Sequence, residues 1–157
     1  INNWFENWFE SPYYHLLYNN RNEKEAKKFI KNILKKLQVP SKSFFLDLCC
    51  GKGRHSIYLN KLNHIVTGID LSKKNIESLK PKKSKTLNFK NLDMRDLKEK
   101  NKYNYVLNLF TSFGYFEKKN DNQLVINSIS RNIATFRTSF IDDLDSKCFR
   151  LYPETTY

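Results

Sequence analysis

Between residues 43 and 110, four short apolar runs alternate with segments of helical periodicity, and each run ends on or beside a polar residue. "SFFLDLC" (43–49) is almost continuously apolar, the pattern of a strand buried on both faces. "HIVTGID" (64–70) is rich in β-branched residues, and "TLNFKNLD" (86–93) and "YNYVLNLF" (ending at Phe110) complete the set. A helix is expected from about Gly53, with Ile57, Leu59 and Leu62 on its apolar side. Ser72 can cap a second, carrying Ile76 and Leu79, and Asp121 a third, carrying Leu124, Val125, Ile129 and Ile133. Such alternation predicts an α/β fold: βαβ units in a doubly wound, mostly parallel sheet with helices on both faces. Right-handed crossovers leave little topological choice, and ligands in such sheets bind at the carboxyl ends of the strands. Asp47, Asp70, Asp93 and Asn108 all fall at or just past those ends.

The clearest helix lies upstream, over "NEKEAKKFIKNILKKLQ" (22–38). Ala26, Phe29, Ile30, Ile33, Leu34 and Leu37 form one apolar stripe, Asn22 can cap it with Glu25 three residues on, and Pro40 stops it. The aromatic-rich front (2–21) reads as one or two short helices outside the sheet. The expected organisation is one domain: an N-terminal helical cap (1–38), a core (43–142) and a tail (143–157) without a decisive pattern.

The 157 residues carry 28 basic and 16 acidic side chains, a net charge of +12. The lysines are scattered, as on a solvated surface, though the charge leaves a nucleic-acid partner open; "PKKSK" (81–85) is their densest knot and reads as a loop. Three cysteines without CxxC or Cys/His spacing argue for a reducing cytoplasm and against a metal site. The sequence shows no apolar run of 18 residues and no signal peptide, so no membrane association is expected. Ile1 in place of Met suggests a trimmed or processed start.

"DLCCGKGRHS" (47–56) joins the first strand to its helix through Gly51 and Gly53. It lacks the GxxxxGK[ST] of a phosphate-binding loop, and Ser56 stands where a dinucleotide fingerprint has its third glycine. Asp47 would repel a pyrophosphate but suits an ammonium or sulfonium. Asp70, 17 residues after Gly53, can accept both hydroxyls of a ribose. Together they ask for an adenosine-like sugar with a cationic tail and no phosphate, a description that S-adenosylmethionine fits. Blander roles stand beside these. Asp47 could cap the turn, Asp70 could serve the helix after Ser72, and Asp93 and Asp96 could simply pair with Arg95. Cys49 and Cys50 read as packed residues, His55 and His64 as structural histidines, and Trp4, Phe5, Trp8 and Phe9 as packing or a stacking surface.

"FLDLCCGKGRHSIYL", "VTGIDLS", "LDMRDL" and "NLFTSFGYF" resemble the successive motifs of class I S-adenosylmethionine-dependent methyltransferases, over about residues 4–133, and look most like a subgroup with CCGxGRHS and SFGYF. The resemblance implies a Rossmann-like core, with the backbone at Asp47, Cys49 and Gly51 meeting the methionine portion and Gly53 packing closely under the adenosine. Asp70 would hold the ribose, Leu71 pack on the adenine, Asp93 accept from its amino group, and the Met94 backbone meet the ring. Asn108 and Leu109 would floor the sulfonium, Tyr18 and Arg21 fold over the cofactor, and Tyr14, Ser112, Phe113 and Tyr115 meet the acceptor; Phe113 and Tyr115 could instead only pack. Many relatives have glycine at Cys49, so its backbone is expected to avoid positive φ.

Methyl transfer from a sulfonium is an in-line displacement, for which no catalytic base is named. "NLFTSF" lacks [DNS]PP[YFW], and no Pro-Cys nucleophile is present, so a small-molecule acceptor is preferred. A non-catalytic cofactor-binding module or an RNA methyltransferase are the alternatives. The resemblance also leads one to expect a glycine turn before a fifth strand; "ATFRTSFIDDLD" could be that strand but has no such turn. A full seven-stranded sheet would need roughly 50 further residues, so a shortened or partial chain lacking its last strands is expected.

Overall fold

The structure, a computed structural model, describes residue 8 and residues 11–17, 22–110, 112–116, 118–142 and 148–151. The chain divides into two units, Ile1–Val39 and Pro40–Tyr157.

In the first unit, α1 (Pro12–Leu17) is followed by α2 (Glu23–Lys36). Asn22 caps α2 as expected, its side-chain oxygen accepting from the backbone N–H of Lys24 and Glu25 at 2.9 and 3.1 Å. Glu23 and Glu25 sit in the first turn and Lys35 and Lys36 in the last, each favourable to the helix dipole. Ala26, Ile30 and Ile33 are the buried members of the stripe. The helix closes at Leu37, and Gln38 turns out of it with φ 49°.

In the second unit the four apolar runs are strands: β1 (Phe44–Leu48), β2 (Ile65–Asp70), β3 (Leu87–Asn91) and β4 (Tyr103–Asn108). They join β5 (Ile133–Asp142) and β6 (Cys148–Leu151) in one sheet of order β3-β2-β1-β4-β5-β6. The first five strands are parallel, and β6 returns antiparallel to β5. Central β1 buries Phe45 through Leu48, which explains its unbroken apolar run. It faces β2 in the register Asp47↔Gly68 and β4 in the register Leu48↔Asn108. The connections are α3 (Arg54–Lys61) and α4 (Lys73–Ser78), 3₁₀ turns at Lys80–Lys82 and Met94–Asp96, and α5 (Lys119–Asn132). Chain direction changes between β1 and β4, so the carboxyl ends of those strands form the switch point.

One core fills the α5 face of the sheet: Leu46, Leu48, Ile69, Val106, Val125 and Ile129 pack with Met94, Leu97, Tyr103 and Ile133. Phe45 stacks on Tyr105 with ring centres 5.0 Å apart, and the His64 ring meets Phe45 edge-on. Burial holds the His64 pKa below its ordinary value, which suits this structural role.

The downstream half departs from expectation at three places. α5 begins at Lys119, with Lys118 at its N-cap; Asp121 lies in the first turn and its carboxylate is used elsewhere. α5 runs directly into β5 without a glycine turn, and the pairing of β4 with β5 jumps from Tyr103↔Ile133 to Tyr105↔Thr138, so extra residues are absorbed within the strand pairing. The tail contains β6.

Gly68 is a constraint the sequence pattern hid. A methyl group there would lie 2.8 Å from the Phe89 ring and 2.9 Å from the Cys50 sulfur. Gly68→Ala is therefore expected to destabilise the fold by about 1–3 kcal/mol through overpacking, measured as a lower urea midpoint at unchanged slope.

Candidate functional site

The turn between β1 and α3 is built from left-handed backbone. Cys49, Gly51 and Gly53 have φ of 55°, 53° and 71°. The expectation that Cys49 avoids positive φ is overturned. The chain leaves β1 so that the Cys50 N–H donates to Ile69 O at 2.9 Å, and the Gly53 N–H then donates to Cys50 O at 2.8 Å. Closing both bonds demands the left-handed conformation at position 49, which is why a glycine there is natural. The Cys49 side chain offsets part of the strain: its sulfur lies 3.7 Å from the Met94 sulfur. Burial pushes both the Cys49 and the Cys50 thiols well above their ordinary range, so neither is a nucleophile at neutral pH.

Gly51 and Gly53 serve different ends. A Cβ on Gly51 would meet nothing within 4 Å, so open space lies over the turn there. A Cβ on Gly53 would come 3.1 Å from both Leu79 and Phe89, so its closeness serves packing against α4 and β3.

Around this turn stand the carboxylates. Asp70, last in β2, accepts the Gly51 N–H at 2.7 Å through one oxygen and the Ser72 N–H at 2.9 Å through the other. It thus supports the α4 cap, where Ser72 Oγ accepts from Asn75 N at 3.3 Å, and also fixes the glycine turn. The next residue, Leu71, is 42% exposed, unusual for a leucine beside a core strand.

Asp47 is buried and bonds the Ser56 hydroxyl at 2.5 Å. Its acceptor therefore serves the first turn of α3 and not the glycine turn. The serine in the third-glycine place is a working part of this arrangement. Burial raises the Asp47 pKa from 3.8 to about 6, against the lowering by the Ser56 hydroxyl and backbone; Asp70 adds repulsion and Arg54 offsets some of it.

Asp93 lies beyond β3 and caps the second 3₁₀ turn. The simple pairing with Arg95 is realised: the guanidinium reaches both Asp93 oxygens, at 2.7 Å for the closest contact. Its second partner is Asp121, at 2.7 Å, and not Asp96. Burial pushes the Asp93 carboxyl up, but the Arg95 hydrogen bonds and charge outweigh it and hold the pKa below its ordinary value. Met94 is buried between Cys49 and Asn108, whose amide nitrogen lies 3.6 Å from its sulfur. Asn108 is fully buried, and its side-chain oxygen has no hydrogen-bond partner among the described residues. Leu109 is buried beside it.

Sequence-expected residues beyond β4 divide. Ser112 is half-buried, while Phe113 packs on the core with Phe116, which favours packing over acceptor contact. Tyr115 is half-buried. In the first unit Tyr14 makes an edge contact with Trp8, ring centres 6.3 Å apart. Tyr18 and Arg21 lie outside the described residues. Sequence reasoning missed a stack at the switch point: His55 lies parallel to Phe110 at 5.1 Å, and the Arg54 guanidinium lies 4.8 Å from the Phe110 ring centre. The GRHS spelling was its only trace. Among the described residues no group of His, Cys, Asp or Glu is placed to hold a metal ion, and no helix is long and apolar enough to cross a membrane.

A glycine turn at the switch point of a parallel sheet, ringed by acids at successive strand ends, defines a Rossmann-like ligand-binding domain. A model of the methyltransferase domain family matches residues 45–134, more than half of the 157 residues, and the chain belongs to that family. No curated protein matches the sequence. Among solved structures, the chain is similar to an S-adenosylmethionine-dependent methyltransferase from Clostridium acetobutylicum (TM-score 0.71, 18% identity, 88% of this chain and 57% of that one). It is similar to DesVI from Streptomyces venezuelae (0.68, 21%, 83% and 55%). It is also similar to S-adenosylmethionine-bound CalS10, an amino pentose methyltransferase from Micromonospora echinaspora (0.67, 18%, 85% and 56%). The chain thus spans little more than half the length of these structures.

Two stability measurements test the site's physics. The unfolded chain titrates Asp47 near 3.8 and the folded protein near 6, so this group's share of stability is full below pH 3.8 and is lost as pH rises through about 6. The loss is on the order of 3 kcal/mol. Asp47→Asn is expected to match the parent below pH 4 and to be more stable above pH 6; parallel stability–pH curves for the two would refute the assignment. At position 49, Ala keeps the strain and loses the sulfur contacts, whereas Gly loses the contacts and relieves the strain. Cys49→Ala should therefore be less stable than Cys49→Gly by about 1 kcal/mol in denaturant melts.

Proposed function

We propose that the protein binds S-adenosylmethionine and transfers its methyl group to a small-molecule acceptor, leaving S-adenosylhomocysteine. The observation that carries this reading is the Asp70 carboxylate, fixed by the Gly51 and Ser72 N–H groups at the end of β2 beside the open space over Gly51. A carboxylate fixed at this strand end suits the two ribose hydroxyls. Asp47, buried with Ser56 as its hydrogen-bond partner, suits the cationic methionine portion, together with the backbone at Cys49 and Gly51. Exposed Leu71 suits one face of the adenine, Asp93 its amino group, and the Met94 backbone its ring edge. Asn108 and Leu109 form the floor toward the sulfonium, with Gly53 allowing the turn to pack low. Tyr18 and Arg21 are proposed to reach the same ligand, and Tyr14, Ser112 and Tyr115 the acceptor.

The bound cofactor supplies an activated methyl on a positively charged leaving group. The residues of this chain then have to orient the acceptor in line and keep water out. No side chain is assigned as a base. Family membership supports the reading, and on the motifs CCGxGRHS and SFGYF we assign the chain to the subgroup that they resemble. An amino sugar is the acceptor class suggested by likeness to CalS10. A cofactor-binding module without turnover is the second reading. An RNA acceptor is third; it rests only on the net charge of +12.

Calorimetric titration with S-adenosylhomocysteine decides the first step. Binding is expected in the parent, with Asp70→Asn weaker by about 10- to 100-fold, the loss typical of bonds to a charged acceptor. Binding of NAD in place of either sulfur nucleoside would overturn the proposal.

A further inference from the structure

Arg95 is fastened from every side that the structure describes. Its backbone N–H donates to Asp93 Oδ1 at 2.8 Å, and its backbone carbonyl accepts from Ser128 Oγ of α5 at 3.2 Å. Nε lies 3.1 and 3.2 Å from the two Asp93 oxygens, Nη2 lies 2.7 Å from Oδ2, and Nη1 lies 2.7 Å from Asp121. The guanidinium carbon sits 4.7 Å from the centre of the Phe116 ring. An arginine on a short connection normally ranges widely; this one is 27% exposed and bridges three parts of the chain. Three Arg95 N–H groups thus meet about four acceptor sites: Oδ1 takes the backbone N–H and the shorter Nε contact, and Oδ2 takes Nη2 and the longer arm of Nε, which leaves the spare site on Oδ2.

We infer that Arg95 is the positioning residue that sets the purine specificity of the site, by holding the Asp93 carboxylate so that one oxygen faces a 6-amino group. This rests on the reading that Asp93 meets the adenine. A planar guanidinium that forks onto one carboxylate and is itself held by another fixes the plane of the first, which a lysine cannot do. The pairing also cancels the Asp93 charge, so the oxygen offers a lone pair to a neutral base without a net negative field. Hypoxanthine, with a carbonyl in place of the amino group, would meet that lone pair with its own and be rejected. Asp121 and Phe116 extend the anchorage to α5 and to the segment after β4, so the purine contact depends on residues distant in sequence.

The test compares S-adenosylhomocysteine with S-inosylhomocysteine by calorimetry on the full 157-residue chain. The parent is expected to prefer the adenosine compound by about 10- to 100-fold, the discrimination of one bond to a charged group. Arg95→Lys and Arg95→Ala should bring that ratio to within about threefold of unity, by weakening the adenosine compound far more than the inosine compound. Asp121→Asn, which leaves the Asp93 fork in place, should give an intermediate ratio and guards against an Arg95 variant that fails to fold. A parent-like ratio in folded Arg95 variants, or equal weakening of both ligands, would reduce Arg95 to a structural brace and overturn the inference. A parent that binds neither compound would instead overturn the cofactor reading on which it stands.

Discussion

The bond from the Gly51 N–H to Asp70 is the contact on which the geometry of the site depends. It joins the turn after β1 to the end of the neighbouring strand, across 19 residues of sequence. To aim that N–H at the carboxylate, the chain takes positive φ at 49, 51 and 53, and at the first of these it does so with a cysteine. Such a run of left-handed residues persists only where the surroundings over-determine it. Here the sheet does so: the Cys50 N–H is tied to Ile69 O, and Asp70 closes the other side. Because the ties come from adjacent parallel strands, the turn inherits the rigidity of the sheet centre.

That rigidity bears on ligand binding. A carboxylate already held by two backbone donors has little orientational freedom left to lose. Ribose hydroxyls would add to such a network without first breaking it. Preorganisation of this kind strengthens binding mainly by lowering the entropy lost on association. Helix α3 adds its share through Ser56, which keeps Asp47 in place whether ionised or protonated.

What was legible in the sequence followed from local physics. The buried strands showed as apolar runs, the caps at Asn22 and Ser72 as side-chain oxygens before helical stripes, and the strand-end acids by their position. What was illegible depended on partners far along the chain. Arg95 and Asp121 are 26 residues apart, and nothing in either neighbourhood announces the pair. Asp121 instead imitated a helix cap, because its composition-level signal is the same for both uses. Cys49 was misjudged because its φ is dictated by hydrogen bonds to β2, which override the preference of a side chain for negative φ. The passage from α5 to β5 was obscure because extra residues are taken up within the strand pairing and not by a turn with glycine in it.

On the proposed reading, the three acids also divide the electrostatic labour in a way that matches one ligand. Asp93 is paired with an arginine and sits below its ordinary pKa, so it meets a neutral base with its charge already cancelled. Asp70 accepts two backbone N–H groups, and its carboxylate is the one proposed to meet neutral hydroxyls. Asp47 has burial as its dominant influence and a hydroxyl as its hydrogen-bond partner, so its ionised form is costly in the free protein. A cation placed beside it would remove that cost, and the bound state would then gain what the empty fold lacks. The carboxylate whose ionisation burial opposes is thus the one proposed to meet the positive part of the ligand, and the fully paired one is proposed to meet an uncharged part. A pyrophosphate would reverse this logic at Asp47. For that reason the glycine turn of this chain favours a sulfonium nucleoside over a dinucleotide, independently of any likeness in sequence.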